Sequence, residues 1–507
     1  MANPYKLLRR VIQCAFLLLF LGLFWQARWH GPGLSAPPPL FLRMDPLSAL
    51  CVWLAPTPTW PVLLIPALLL LLLTALLGRF FCGWICPLGT TIDIFDHLFL
   101  RKTRRSHEHL NRPALKFHIL GLTLLAALFG TQLAWLLDPI PLLTRTLAVV
   151  FYPLAVGLYN AGVIASRPAL GGLGVRLDPT DTAPTFALNL LVLLVFAAVL
   201  ATSFLSRRYY CRTLCPLGAL LGFLGRFGLL RRHVTGCVSC GRCVRECKMG
   251  AVLPPDDCAE DYHRTHTAEC ILCYDCLACP RPGITHIGLH PGTQGAEPGL
   301  RLSKRHFLAS LGLGALYGAT ASTGAGRRAT SGRLIRPPGA ILRTPAGIRP
   351  MREEQFRDLC VRCGNCMKAC VTGGLQPAVV EAGFDGVFTP ILVPKLGYCE
   401  QGCTACGEVC PTGALARFTV EEKAHIKLGL AAVHKDKCLS WQTGHRYRLC
   451  LVCNEHCPYG AVAVIDDDGR QRPVVNAGVC VGCGQCEKSC PVRPEAAIVV
   501  YRSASRV

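Results

Sequence analysis

The sequence predicts a four-span α-helical membrane domain joined to two small α+β domains, one built on two cysteine quartets and one on four. Two observations carry this. Hydrophobic residues make up 51% of the 507 residues, and they gather into separate apolar runs. The 31 cysteines gather mostly into sets of four. The formal net charge of +22 admits nucleic acid, a membrane surface or an acidic partner. The apolar runs favour the membrane, with Lys and Arg as topology signals and no nucleic-acid partner.

The first apolar run, residues 11–25, follows Lys6, Arg9 and Arg10 and needs only modest extension to cross a bilayer. A Pro-rich loop lies around Pro37–Pro39. A second span covers 61–78 and ends at Arg79; a strongly basic stretch covers 101–112 (Arg101, Lys102, Arg104, Arg105). A third span covers 115–137, and a fourth covers 185–205, ending at Arg207 and Arg208. The basic clusters place the N-terminus and these loops in the cytoplasm. Residues 142–164 are also apolar but contain Arg145, Pro153 and several Gly. They read as an interfacial or re-entrant pair of short helices.

An internal repeat supports that count. Arg79-Phe-Phe-Cys82-Gly-Trp-Ile-Cys86-Pro87-Leu-Gly89 matches Arg208-Tyr-Tyr-Cys211-Arg-Thr-Leu-Cys215-Pro216-Leu-Gly218. Each copy follows an apolar span, so an even number of spans separates them. The organisation expected is a membrane domain at 1–229, a two-quartet domain at 230–300, a helix and linker at 301–350, and a four-quartet domain at 351–507. Ser303-Lys304-Arg305-His306-Phe307-Leu308 and the Gly/Ala/Leu stretch behind it look like a twin-arginine export signal with Lys304 in place of the first Arg. The alternative is a plain linker helix. Residues 327–352 carry seven Arg and no acid, the mark of a cytoplasmic segment, so both topologies stay open.

The quartets carry the chemistry. Disulfide scaffolds are small and do not repeat CxxCxxC, and structural zinc uses two separated CxxC pairs. Tight quartets, often with Pro after the last Cys, are the iron–sulfur pattern, and the fourth cysteine commonly ligates the neighbouring cluster. The first two sets are Cys237, Cys240, Cys243, Cys247 and Cys270, Cys273, Cys276, Cys279. Exchange would join Cys279 to Cys237, Cys240 and Cys243, and Cys247 to Cys270, Cys273 and Cys276. The last domain holds Cys360, Cys363, Cys366, Cys370; Cys399, Cys403, Cys406, Cys410; Cys438, Cys450, Cys453, Cys457; and Cys480, Cys483, Cys486, Cys490. Six ferredoxin-like 4Fe-4S clusters are expected, ligated by thiolates alone and so suited to electron transfer. Gly413 and Gly460 would turn the chain back around a cluster. Ala414, Leu415, Ala461 and Val462 would begin the strand packed on it. Arg242, Arg245, Lys248, Arg362, Lys368 and Lys488 could raise the potentials, or form a solvated basic surface.

The pairs Cys82/Cys86 and Cys211/Cys215 could together hold a metal or cluster, act as redox thiols, or stand unligated. Cys14, Cys51 and Cys258 read as packing residues. His118, Asp138 and Arg145 could line a quinone site. CxxCH is absent, which excludes covalent c-type haem, and no Rossmann or P-loop glycine pattern appears.

Residues 1–290, with their CxxxCP motifs Cys82–Pro87 and Cys211–Pro216 and two-quartet tail, resemble the NapH/MauN family of membrane ferredoxin-type proteins. Residues 300–507, with a twin-arginine-like leader, four quartets and Pro390-Ile-Leu-Val-Pro394, resemble the NapG/MauM family. The chain thus looks like a fusion of the two. The resemblance implies a quinol dehydrogenase component of the bacterial inner membrane. Its two-cluster domain would be cytoplasmic and its four-cluster domain periplasmic, passing electrons to a nitrate-reductase-like or other periplasmic redox protein. It also implies exchange of the first quartet with the fourth and the second with the third: Cys490 with Cys360, Cys363, Cys366; Cys370 with Cys480, Cys483, Cys486; Cys457 with Cys399, Cys403, Cys406; Cys410 with Cys438, Cys450, Cys453. Two further readings are electron supply for metalloenzyme maturation or metal reduction, and a membrane-tethered cytoplasmic polyferredoxin.

Overall fold

The computed structural model describes residues 4–27, 39–56, 64–100, 112–171, 184–235, 237, 240–253, 265–277, 279, 284–289, 303–322, 333–344 and 347–502. Pro37, Pro38, the basic stretch 101–111, Cys258 and linker residues 323–332 lie outside them. The chain folds as two units that interleave in sequence. The first takes 1–25, 40–143 and 194–319; the second takes 26–39, 144–193 and 320–507.

The main helices are α1 (Pro4–Gln26), α2 (Pro46–Leu54), α3 (Leu64–Leu77), α4 (Pro87–Phe99), α5 (Leu115–Leu128), α6 (Pro139–Arg167), α7 (Asn189–Ala201), α8 (Pro216–Gly225) and α9 (Lys304–Ser322). The strands form two-stranded antiparallel sheets: β1 (Leu230–Val234) with β2 (Thr285–Leu289), β3 (Ile341–Thr344) with β4 (Gly347–Pro350), β5 (Leu375–Pro377) with β6 (Pro390–Leu392), β7 (Gly429–Val433) with β10 (Ile498–Arg502), and β8 (Val462–Asp467) with β9 (Arg470–Val475).

The four-span count is corrected. Among the described residues, α1 and α6 are the two helices long and apolar enough to cross a membrane. The segments expected as the second, third and fourth spans form shorter helices. Gly78 (φ +88°) and Gly130 (φ +76°) take left-handed conformations just past α3 and α5 and end them there. The segment read as two short interfacial helices is one continuous helix, α6, of 29 residues. Pro153 does not break it, because a π-turn at Leu147–Phe151 precedes it and widens the backbone where a proline lacks its N–H.

In the first unit, α8 packs against α2, α3 and α5. Helix α9 lies on α5 through its glycines: a Cβ on Gly314 would stand 2.8 Å from the Leu122 carbonyl oxygen, and one on Gly318 would stand 2.7 Å from Phe129. Small residues at these points let the two helices approach closely. In the second unit, the α6 stretch Arg145–Val149 packs on the loop around Gly364. Arg145 lies over the Phe388 ring at 5.1 Å, and Gln376 ties the loop before α7 to β5 through the Thr185 carbonyl (3.0 Å) and the Ala187 amide (3.2 Å).

Candidate metal centres

Four cavities of similar size, with 340–380 Å³ of space between atoms, are each lined by four cysteines. They are Cys360, Cys363, Cys366 with Cys410; Cys480, Cys483, Cys486 with Cys457; Cys438, Cys450, Cys453 with Cys490; and Cys270, Cys273, Cys276 with Cys247. A fifth set shows through electrostatics: burial raises the thiols of Cys399, Cys403 and Cys406, and Cys370 adds a smaller push to each.

The last set agrees with the spacing, but the C-terminal sets differ from those the resemblance implies. The first quartet exchanges with the second and the third with the fourth. Local hairpins explain this. Between the first two quartets, Leu375 pairs with Leu392 and the Thr372 hydroxyl donates to the Tyr398 carbonyl, which brings Cys370 back beside Cys399. Between the last two, the β8–β9 hairpin closes with the Asn476 amide on the Ala461 carbonyl at 2.7 Å, which returns Cys457 to Cys480. Gly413 (φ +77°) and Gly460 (φ +60°) adopt the turn expected of them. Val462 opens β8 as expected, whereas Ala414 and Leu415 form no strand and pack into the first cavity.

The exchanging thiol in each of the four cavities lies in the path of a backbone amide: Ala251 donates to Cys247 (3.2 Å), Leu415 to Cys410 (3.3 Å), Ala461 to Cys457 (3.2 Å) and Ala497 to Cys490 (3.3 Å). Such donors favour the thiolate. Burial opposes it, pushing Cys360 up to about 11 and Cys363 to about 12, with Cys410 adding to both. Four thiols held in so little water need a metal cation to ionise. No three His, Cys, Asp or Glu side chains among the described residues surround a point as ligands of a single ion do. Thiols spread over the walls of a cavity suit a cubane, whose ligands sit on separate iron corners. Cys237 contributes to the raised thiol of Cys243, Cys240 is exposed and Cys279 is half-buried.

The CxxxCP motifs form a different centre. Cys82, Cys86, Cys211 and Cys215 are all buried, and Cys82 and Cys211 both add to the raised thiols of Cys86 and Cys215. Cys86 caps α4 by accepting the Gly89 amide (3.4 Å), and Cys215 caps α8 by accepting the Gly218 amide (3.2 Å). The two repeats trade arginines. Arg208 reaches the Cys82 carbonyl (2.8 Å) and the Gly89 carbonyl (3.3 Å) of the other copy. Arg79 reaches the Cys211 carbonyl at 3.4 Å and its own Cys82 thiol at 3.4 Å. Each arginine shares an acid with a lysine: Arg208 (2.9 Å) and Lys248 (3.1 Å) on Asp93, Arg79 (3.3 Å) and Lys116 (2.5 Å) on Glu269. Burial works against the Asp93 carboxylate, yet Arg208 and Lys248 hold it well below the ordinary range.

Sequence reasoning missed Asp93, Lys116 and Glu269, whereas both arginines stand in the matched repeat and Lys248 stands among the basic neighbours of the quartets. The loop bearing Cys270 and Cys273 sits against this core: the Trp84 indole donates to the Leu272 carbonyl (2.9 Å), and Arg9 donates to the Cys273 carbonyl (2.8 Å).

Other candidates fall elsewhere. His118 meets Ser310 of α9 (3.4 Å). Asp138 is buried beside Asp45, with the Ser48 hydroxyl 2.7 Å from Asp45 and 3.4 Å from Asp138. Arg145 belongs to the second unit with Phe388. Cys51 is buried as a packing residue, whereas Cys14 is exposed. Lys248 is committed to Asp93, Arg362 to Asp385 and Lys368 to the Ala27 carbonyl.

The family described as a 4Fe-4S binding domain matches residues 59–106 and 188–235, the stretches that carry the CxxxCP pairs. The ferredoxin-type protein NapG of Escherichia coli (strain K12) is 32% identical over 185 residues, covering 35% of this chain and 74% of NapG. The methylamine utilization ferredoxin-type protein MauN of Paracoccus denitrificans (strain Pd 1222) is 31% identical over 264 residues, covering 50% of this chain and 79% of MauN. MauM of the same organism is 36% identical over 171 residues, covering 31% of this chain and 67% of MauM. No solved structure matches. The chain therefore belongs to the ferredoxin-type proteins represented by NapG, MauM and MauN, with 4Fe-4S domains that serve electron transfer.

Proposed function

We propose that the chain oxidises quinol at a bacterial inner membrane and passes the electrons singly through 4Fe-4S clusters to a periplasmic redox protein, a nitrate-reductase-type enzyme or similar. The observation that carries this is the run of near-equal cysteine cavities, linked in pairs by exchanged thiols. Exchange keeps neighbouring clusters close, and a chain of thiolate-only clusters has no open position for substrate chemistry. When bound, the clusters would supply one-electron steps within roughly −700 to +450 mV. The ligands would be the four cavity sets above, Cys399, Cys403, Cys406 with Cys370, and Cys237, Cys240, Cys243 with Cys279. In this reading the chain is a fusion of a MauN-like and a NapG-like part, with its two-cluster domain cytoplasmic and its four-cluster domain periplasmic. Helix α9 is then a retained anchor, supported by its close packing on α5.

Anaerobically purified protein should hold about 24 irons for six cubanes. Menaquinol or ubiquinol should reduce them, as seen by electron paramagnetic resonance. Full cluster loading with no reduction by either quinol would sink the reading. A cytoplasm-only reporter active after Val507 would overturn the periplasmic placement.

A second reading concerns the CxxxCP core. The 4Fe-4S family match falls on these two motifs, and four thiols and two guanidiniums share one buried region. A further cluster there would raise the count to about 28 irons; redox-active thiols would leave it at about 24.

A further inference from the structure

The first unit holds an open cavity of about 570 Å³, within the roughly 300–1,000 Å³ of ordinary ligand sites. Helix α1 supplies Lys6, Arg9, Arg10, Gln13 and Cys14, spaced to share one helical face. Helix α4 supplies Thr90, Asp93, Ile94, His97 and Leu98, spaced in the same way. Lys248 and Asp275 bring in the loops that carry Cys247, Cys273 and Cys276.

Two buried atoms of this lining lack partners. Arg9 and Asp275 form an ion pair at 2.8 Å, and both side chains are 2% exposed. One oxygen of Asp275, Oδ1, accepts no hydrogen bond, and the Nε–H of Arg9 donates none. One acceptor and one donor therefore stand unsatisfied on adjacent side chains, an unfavourable state that a bound ligand can relieve. A phosphate or sulfate would satisfy Arg9 but meet Asp93 and Asp275 with like charge. A phenolic hydroxyl satisfies both, donating to Asp275 while accepting from Arg9. The same Arg9 guanidinium donates to the Cys273 carbonyl at 2.8 Å, so a ring held there lies one side chain from the Cys270–Cys276 loop. Beyond Cys14, α1 is apolar and uncharged to Trp25, and Ile94 and Leu98 are exposed on α4. These give an isoprenoid tail an apolar track.

We propose that this cavity between α1 and α4 is the quinol site, with the ring hydroxyl held by Arg9 and Asp275; the proposal rests on the quinol-oxidising reading above. Oxidation breaks both O–H bonds and leaves two C=O groups. The two electrons would go one at a time to 4Fe-4S clusters, and Cys247, Cys270, Cys273 and Cys276 would hold the one on the loop that Asp275 and Lys248 tie to this cavity. The two protons leave to water through the open mouth beside His97.

The test uses the full-length, cluster-loaded protein in nanodiscs with photoreactive azido-ubiquinone and azido-naphthoquinone probes, and maps the labelled peptides by mass spectrometry. Label should fall on α1 around Lys6–Cys14 and on α4 around Thr90–Leu98. Arg9→Lys keeps the ion pair but removes the Nε donor, and should weaken binding about tenfold. Ile94→Trp fills the cavity away from the charged network, and should abolish the label and reduction by quinol while dithionite still reduces every cluster. Label elsewhere, with quinol still reducing Ile94→Trp, overturns the site and leaves the quinol reading standing. No label and no reduction of the unaltered protein overturns both. A phospholipid retained in the cavity by native mass spectrometry, and not displaced by the probes, also overturns it.

Discussion

The CxxxCP core and the CxxCxxC cavities use one side chain in two opposite settings. In the cavities the thiols are met mainly by backbone amides and apolar walls. The linings of the Cys480 and Cys438 cavities contain no cationic side chain among the described residues. In the CxxxCP core two arginines, two lysines and two acids surround four thiols in two matched triads. A cavity therefore owes its shape to loop geometry and whatever fills it, whereas the core is held by ion pairs in which each acid is shared by two cations. Removing ligands should empty the cavities, and removing charge should break the core.

The largest effect expected is cluster loss, and its pattern tests the exchange. Cys363→Ala with Cys410→Ala should remove one cluster, leaving about 20 irons of 24, because both line one cavity. Cys363→Ala with Cys490→Ala should remove two, leaving about 16. The reverse pattern would restore the first-with-fourth exchange. Iron and sulfide assays read the outcome directly.

Next in size is the loss of an acid from the core. Asp93→Leu would leave Arg208 and Lys248 facing each other, and Glu269→Leu would do the same to Arg79 and Lys116. Uncompensated buried charge typically destabilises by about 3–5 kcal/mol. Denaturant unfolding in detergent should show losses of that size for both, equal within error if the two triads are equivalent. A loss in only one would show that the repeat is a likeness of sequence without a likeness of role.

How far this could be read from the sequence depends on range. The cysteine sets were legible because three ligands of most lie within one short loop, Cys438, Cys450 and Cys453 being the set with a long gap. The source of the fourth was not, because it depends on hairpins such as Leu375–Leu392 that fold one set back on the next. The repeat around Cys82 and Cys211 was legible, but likeness between two copies does not reveal that each arginine serves the other. The span count failed on two local features: residues 142–164, with Arg145, Pro153 and several Gly, form one helix because a π-turn absorbs Pro153, and Gly78 and Gly130 end helices that hydropathy alone extends. The cavity of Arg9 and Asp275 was invisible, since those residues stand 266 positions apart.

A smaller effect should follow where the Cys270 loop meets the core. A Cβ on Gly222 would stand 2.7 Å from the Ala268 carbonyl oxygen, which is backbone and cannot swing aside. Gly222→Ala should cost about 1–3 kcal/mol through this overlap, again read by unfolding. Gly157, whose added Cβ meets nothing within 4 Å, provides the control; equal losses at both would mean the contact does not matter.

The smallest effect separates cavities from one another. Lys423 donates to the Cys403 carbonyl at 2.7 Å and opposes the rise of the Cys399 thiol. A nearby cation stabilises the reduced, more negative cluster, so the set of Cys399, Cys403, Cys406 and Cys370 should have a higher potential than the Cys480 set. Lys423→Met should lower it by an amount on the order of tens of millivolts, seen in a redox titration followed by electron paramagnetic resonance. Lys488→Met, at an exposed side chain beside the Cys480 set, should shift its own cluster less, because solvent screens a charge that is not buried. If the two substitutions shift their clusters equally, the basic residues act as a diffuse surface field, and the distinction between cationic and apolar cavities carries no redox meaning.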